Sequence, residues 1–342
     1  MEPSLINRLQ SAIIFKKWPQ SAIIVLFIVM LAATWQRWTQ PLVDHGREMN
    51  LPARILAGER IYNDIQVLYG PFAPHFNALL YRIFGIHLSV LKVAGGVCAI
   101  LILLTIYRLA GALMSEWESF LAAGLTLVLC SLKSTASYIQ PYAYAALYGL
   151  VFSLGSLAAT VSYIKSRANS RLVLAGSLAG LSLISKPEIA LAGLAAGLTA
   201  LIAESLVKRK PLWLGAAALS APVAIITSAT YAVVLSHTPL RVLLEDNHVL
   251  FTEMPPQLIY FNRHVSGLAQ WPSSLWFSLA GIGVFALWVG VCAVIGAIAS
   301  RKQAEWRGVL KAGLIIVCAG AIWAVVAIGF SSMSGNITPF TA

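Results

Sequence analysis

The chain has 342 residues, 58% of them hydrophobic and only 11% charged, with a mean hydropathy of +0.78. A soluble protein charges about a quarter of its residues, so this composition excludes a water-filled globule and leaves a membrane protein. The formal net charge of +11 is spread over short loops between apolar runs. It is not gathered on one polar face, which argues against a nucleic-acid partner and fits Lys and Arg at the cytoplasmic ends of membrane helices.

In chain order, apolar runs fall at roughly 20–38, 88–110, 118–133, 143–164, 171–185, 188–206, 212–235, 273–299 and 309–330. A bilayer core takes about 20 such residues, and unpaired backbone groups cannot stand in hydrocarbon, so each run is expected to be a helix. The runs do not alternate as barrel strands do. The fold class is therefore all-α: a polytopic transmembrane helical bundle of about nine spans forming one domain over 1–342. The runs 118–133 and 171–185 are short for a full crossing. The first run follows a basic lead without a small-residue cleavage site, so it reads as a retained helix rather than a signal peptide. The lead and the stretches near 108–118, 165–171, 208–211 and 300–311 carry the larger excess of basic over acidic residues. That asymmetry predicts a cytoplasmic N-terminus, a C-terminus outside, and an inner (plasma) membrane location. Cys98, Cys130, Cys292 and Cys318 all lie in apolar runs without ligand spacing, and read as packing residues.

Two connections are long, 39–87 and 236–272, and both are expected outside. The first reads TQPLVDHGREMNLPARILAGERIYNDIQVLYGPFAPHFNALLYRIFG. Met49, Leu51, Ile55 and Leu56 give one apolar helical face after an acidic start, with Gly58 as its cap. A second apolar-faced stretch, Phe72 to Phe84, follows the turn-forming Gly70-Pro71. Both are expected to be amphipathic helices at the membrane surface.

Asp44 and Glu48 stand four apart, on one face of such a helix, and Asp64 follows just before Tyr69-Gly70-Pro71. Carboxylates there serve as general bases or hold a divalent metal. The alternative is structural: Asp44 capping the helix and Glu48 pairing with Arg47 or Arg54. Lys186-Pro187-Glu188 breaks two apolar runs. Charge at such a break either faces a cavity, where a lysine suits a lipid phosphate, or is a hairpin turn with a snorkelling lysine. The second long loop supplies Arg241, Glu245, Asp246, His248, Arg263 and His264, with no spacing that marks a ligand set.

The string D-x-G-R-E…P-x-x-I-L-x-G-E-x-x-Y-x-D…Y-G-P-x-x-P…N-A-L-L-Y-R-x-F-G resembles the first outer loop of GT-C glycosyltransferases, among them the aminoarabinose transferases and the protein O-mannosyltransferase-like enzymes. The hairpin at 171–206 with its Lys-Pro is similar to a segment of the same enzymes, and the resemblance covers roughly 20–210. It implies a multi-pass transferase that moves a hexosyl or pentosyl group from a polyprenyl-phosphate-linked donor to a lipid, glycan or cell-envelope acceptor on the non-cytoplasmic face. On that resemblance Asp44 is the candidate base, with Glu48 and Asp64 as further catalytic acids. Arg47, Tyr69, His75, Lys186, Glu188 and Arg263 are the candidate substrate-binding residues. Metal dependence varies among such enzymes, which leaves room for a divalent ion beside these acids but names no ligand. The expected partners are the donor and membrane lipids. Many relatives run longer, so the chain reads as a short member or a C-terminally truncated one. The rival readings are a transporter or flippase, or a non-catalytic assembly subunit for lipid-linked sugars. A transporter tends to carry ionisable groups at the membrane midplane and repeated halves. Here the apolar runs are nearly free of charge.

Overall fold

A computed structural model of the chain describes residues 19–32, 44–112, 116–131, 137–208, 213–244 and 255–265, with the single positions 279 and 283. The chain divides into two compact units, 1–240 and 241–342.

All the regular elements of the described residues are helical. In the first unit they are α1 (Pro19–Ala32), α2 (Asp44–Leu56), α3 (Phe72–Phe84), α4 (Leu88–Ala110) and α5 (Glu116–Thr126), which runs on into a π-helical turn at Leu127–Ser131. Then come α6 (Tyr144–Ser166), α7 (Asn169–Leu183), α8 (Pro187–Lys208) and α9 (Trp213–Leu235). The second unit contains α10 (Pro256–Val265), with Tyr260 and Phe261 exposed.

Three of these helices are long and apolar enough to cross a membrane: Leu88–Ala110, Tyr144–Ser166 and the Gly215–Leu235 part of α9. At 1.5 Å per residue, the 23 residues of α4 or α6 reach about 35 Å, enough for a hydrocarbon core of about 30 Å. Arg167 ends α6 in the left-handed conformation, φ 62°, where its N–H returns to the Tyr163 carbonyl. Apolar but shorter are α1 and Pro187–Ile202 of α8. The expected runs at 118–133 and 171–185 are short helices, α5 with its π turn and the 15-residue α7. The runs at 273–299 and 309–330 lie outside the described residues, as do the N-terminal lead and the C-terminal tail.

The first unit is built around α6. Helices α7 and α8 pack on one side of it and α4 on another, while α9 lies against α7. Small side chains allow close approach, as is usual between membrane helices. A Cβ at Gly193 of α8, for example, would overlap the Ser153 hydroxyl of α6. Ile23, Phe27, Ala99, Leu103, Tyr107 and Leu127 form one core, joining α1, α4 and the π turn.

Both expected surface helices are present. Helix α2 begins at Asp44 and unwinds at Gly58, φ +99°, where the Gly58 and Glu59 N–H groups close on the Ile55 and Arg54 carbonyls. Helix α3 spans Phe72–Phe84. Its Ala73, Asn77 and Tyr81 stripe turns inward, and its Leu79, Ile83 and Phe84 edge is exposed. Helix α3 packs on α2, α4 and α6, so the long loop folds back onto the bundle. The buried Asn77 amide oxygen accepts the Tyr148 hydroxyl of α6 at 2.6 Å, which fixes that docking.

Candidate functional site: two cations around Tyr69

The Tyr69-Gly70-Pro71 segment joins the long loop to the turn between α7 and α8. The Gly70 N–H donates to the Ser185 carbonyl and the Phe72 N–H to the Ile184 carbonyl, each at 3.1 Å. Approach this close requires glycine, because a Cβ at position 70 would overlap the Ile184 carbonyl. The receiving turn is closed by its own bonds, Ile184 N–H to Gly180 and Lys186 N–H to Ser182. Pro187 then opens α8, at the first helical position where a missing N–H costs nothing. From the other side the Tyr62 hydroxyl donates to the Tyr69 carbonyl at 2.7 Å. Tyr62 is buried, with φ 66°.

This docking brings Lys186 over the ring of Tyr69. Its Nζ lies 4.4 Å from the Tyr69 ring centre and 5.0 Å from that of Tyr142, and it donates to the Tyr142 hydroxyl at 2.7 Å. Arg47 reaches the same place from α2. Its guanidinium lies 5.7 Å from the Tyr69 ring centre and donates to the Tyr142 carbonyl at 3.2 Å. Two cations from segments far apart in sequence thus meet at one tyrosine ring, a contact favoured by the ring quadrupole.

Glu48 has a different neighbourhood. It is buried, and its Oε2 accepts the Tyr144 backbone N–H, the first of α6, at 2.9 Å. Its Oε1 lies 3.5 Å from the Arg47 guanidinium. A carboxylate on the exposed N–H groups of a helix start is stabilised by both the hydrogen bond and the helix dipole. Glu48 therefore ties α2 to α6. Beside it, His45 Nε2 lies 3.4 Å from the Gln140 carbonyl.

Burial disfavours charge on Lys186, but the Tyr142 hydrogen bond and the nearby Tyr69 and Glu188 outweigh it and hold the ammonium above the ordinary lysine value. Burial also raises the Tyr69 phenol, against the opposing pull of Lys186 and Arg47. At neutral pH the Lys186 ammonium is therefore charged and the Tyr69 phenol neutral.

The other expected residues are distributed around this centre. Asp44 is the first residue of α2, one turn before Glu48; its side chain is outside the described residues. Asp64 is exposed and closes a local turn, its Oδ2 accepting the Arg60 N–H at 2.8 Å while its carbonyl accepts Arg54. Arg54 also pairs with Glu59. His75 is exposed in the first turn of α3, with Nδ1 2.8 Å from the Pro71 carbonyl. Glu188 is exposed in the first turn of α8, close enough to act on the Lys186 charge. Arg263 belongs to α10 in the second unit, and its side chain is outside the described residues. Among the described residues no group of three His, Cys, Asp or Glu side chains is arranged to hold a metal ion. Tyr142 and Tyr144 were not singled out from the sequence, and no spacing in it marks them; Tyr62 entered only as the tyrosine of the G-E-x-x-Y-x-D string.

An apolar cavity of about 670 Å³ opens between α3, α4 and α6, and its aromatic wall belongs to the cluster against which Tyr69 packs. Phe72, Phe76, Leu80 and Phe84 form its α3 wall, Val93, Val97 and Leu101 its α4 wall, and Tyr148 and Phe152 its α6 wall. Phe72 stands three residues after Tyr69 and meets the Phe152 ring edge-on at 5.2 Å.

Residues 69–234 match the family model of dolichyl-phosphate-mannose-protein mannosyltransferases. Over these residues the chain is similar to a family of membrane glycosyltransferases. The match begins at Tyr69 and takes in Tyr142, Lys186 and the helices around α6. Arg47 and Glu48 lie ahead of the matched residues. No curated protein and no solved structure matches the chain.

Proposed function

We propose that the protein transfers a sugar from a polyprenyl-phosphate-linked donor to a lipid, glycan or cell-envelope acceptor, at the non-cytoplasmic face of an inner (plasma) membrane. The single observation that supports this most is the convergence of Lys186 and Arg47 on Tyr69, which packs against the apolar cluster that walls the α3–α4–α6 cavity. A lipid-phosphate sugar has an anionic centre and an apolar tail, and the two features match its two ends. The leaving group is a phosphate, so the protein has to stabilise departing negative charge and remove a proton from the acceptor. Lys186 and Arg47 take the first task. The second falls to Asp44, with Glu188, Asp64, His75 and Arg263 as further candidates for substrate contact. Glu48 serves through the position of α2.

A transfer assay in membranes with a panel of lipid-linked sugars tests this reading. Transfer with at least one donor, lost in Lys186→Ala, is expected. Absence of transfer with every donor would overturn it in favour of a transporter or an assembly subunit.

A further inference from the structure

Tyr142 is exposed and stands two residues before the start of α6. It touches both cations with polar atoms: its hydroxyl accepts Lys186 at 2.7 Å and its carbonyl accepts Arg47 at 3.2 Å. The Lys186 ammonium lies 5.0 Å from the Tyr142 ring centre and 4.4 Å from that of Tyr69. Two residues on, the Tyr144 N–H is held by Glu48. The segment is therefore anchored at its helical end and presents one side chain and one carbonyl toward the site. We propose that Tyr142 is a positioning residue for the anion site, setting the spacing of Lys186 and Arg47 so that both can face one phosphate. This rests on the proposed transferase reading, from which it takes the identity of the anion.

The hydroxyl and the carbonyl do separable work. A lysine ammonium on a flexible stem has three donors and many rotamers. A hydroxyl acceptor between two rings holds that charge on the Tyr69 side. The carbonyl acts on Arg47 whatever the side chain, so Tyr142→Phe removes the hold on Lys186 and leaves that on Arg47. Among the described residues the charged and titratable groups around Lys186 are Tyr142, Tyr69 and Glu188, with Arg47 also at the Tyr69 ring. Removing the hydroxyl leaves burial, which disfavours charge, less opposed.

The test uses the full chain in detergent, as wild type, Tyr142→Phe, Lys186→Ala and the double variant. Two readouts are taken. The first is the pH dependence of Lys186 acylation by an amine reagent, followed by peptide mass spectrometry in the two proteins that keep the lysine. The second is the affinity for undecaprenyl monophosphate. In Tyr142→Phe the acylation midpoint is expected to fall, and binding to weaken about tenfold, the effect of losing one charged hydrogen bond. The double variant should bind no more weakly than Lys186→Ala. If Tyr142→Phe matches wild type in both midpoint and affinity, the inference is overturned and the transferase reading stands. If wild type itself does not bind the phosphate, both are overturned.

Discussion

The buried carboxylate of Glu48, in the surface helix α2, accepts the first backbone N–H of membrane helix α6 from Tyr144 at 2.9 Å. An acid that looks catalytic in the sequence thus works as a helix cap placed far from its helix in the chain. Removing it separates the two roles. Glu48→Ala leaves a buried N–H without its acceptor and removes the charge at the helix start, for a cost of about 2 kcal/mol. Glu48→Gln keeps an acceptor and should cost about 1 kcal/mol. Thermal unfolding of the detergent-solubilised protein, measured beside sugar transfer, checks this. Unchanged stability with abolished transfer would instead make Glu48 a catalytic group.

Asp44 stands one helical turn before Glu48, at the open end of α2. If it removes the acceptor proton, Asp44→Asn should lower the turnover rate by about 10²- to 10⁴-fold, with membrane insertion and undecaprenyl phosphate affinity unchanged. Transfer by the purified variant at the wild-type rate would take Asp44 out of the mechanism.

Gly70 is the test of how the site is assembled. Gly70→Ala forces a methyl against the Ile184 carbonyl and parts the bond from the residue 70 N–H to Ser185. A loss of about 2–4 kcal/mol is expected. It should appear as a lower unfolding temperature and as weaker undecaprenyl phosphate binding, because Tyr69 moves with its neighbour. Wild-type behaviour in both measurements would show that this docking does not hold the site together.

The pH dependence follows from Lys186. Its folded-state pKa lies above the ordinary value of 10.5, so the charge is present at every pH below that value. It is lost only as pH rises through the higher folded value. Affinity for undecaprenyl monophosphate should therefore stay free of any lysine step from neutral pH up to 10.5, and decline only beyond it. A lysine-dependent step below pH 10, absent in Lys186→Ala, would contradict the hold that Tyr142 and Tyr69 exert on the ammonium.

Much of this architecture was legible in the sequence because periodicity and length report on burial. The apolar run at 88–110 coincides with α4, and the amphipathic stretch Phe72–Phe84 is α3 to the residue. Lys186 was visible because a charge between apolar runs needs a reason. Tyr142 was not, since a tyrosine at the foot of a helix is ordinary until the fold brings Lys186 and Arg47 to it. The two roles open to Glu48 could not be separated either. A buried cap and a catalytic base call for the same side chain, and only the location of the α6 N-terminus favours one.

The bonds from Gly70 and Phe72 to the Ile184–Ser185 turn also bear on the order of biosynthesis. The ribosome makes Tyr69 roughly a hundred residues before it makes its docking partner. At 5–20 residues per second the loop waits on the order of ten seconds. During that interval α3, with Leu79, Ile83 and Phe84 on its exposed edge, rests on α2 and α4, and on α6 once that helix is made. The nascent chain therefore carries the Tyr69 ring without Lys186 until the α7–α8 hairpin is made, and anything that delays that hairpin delays the site.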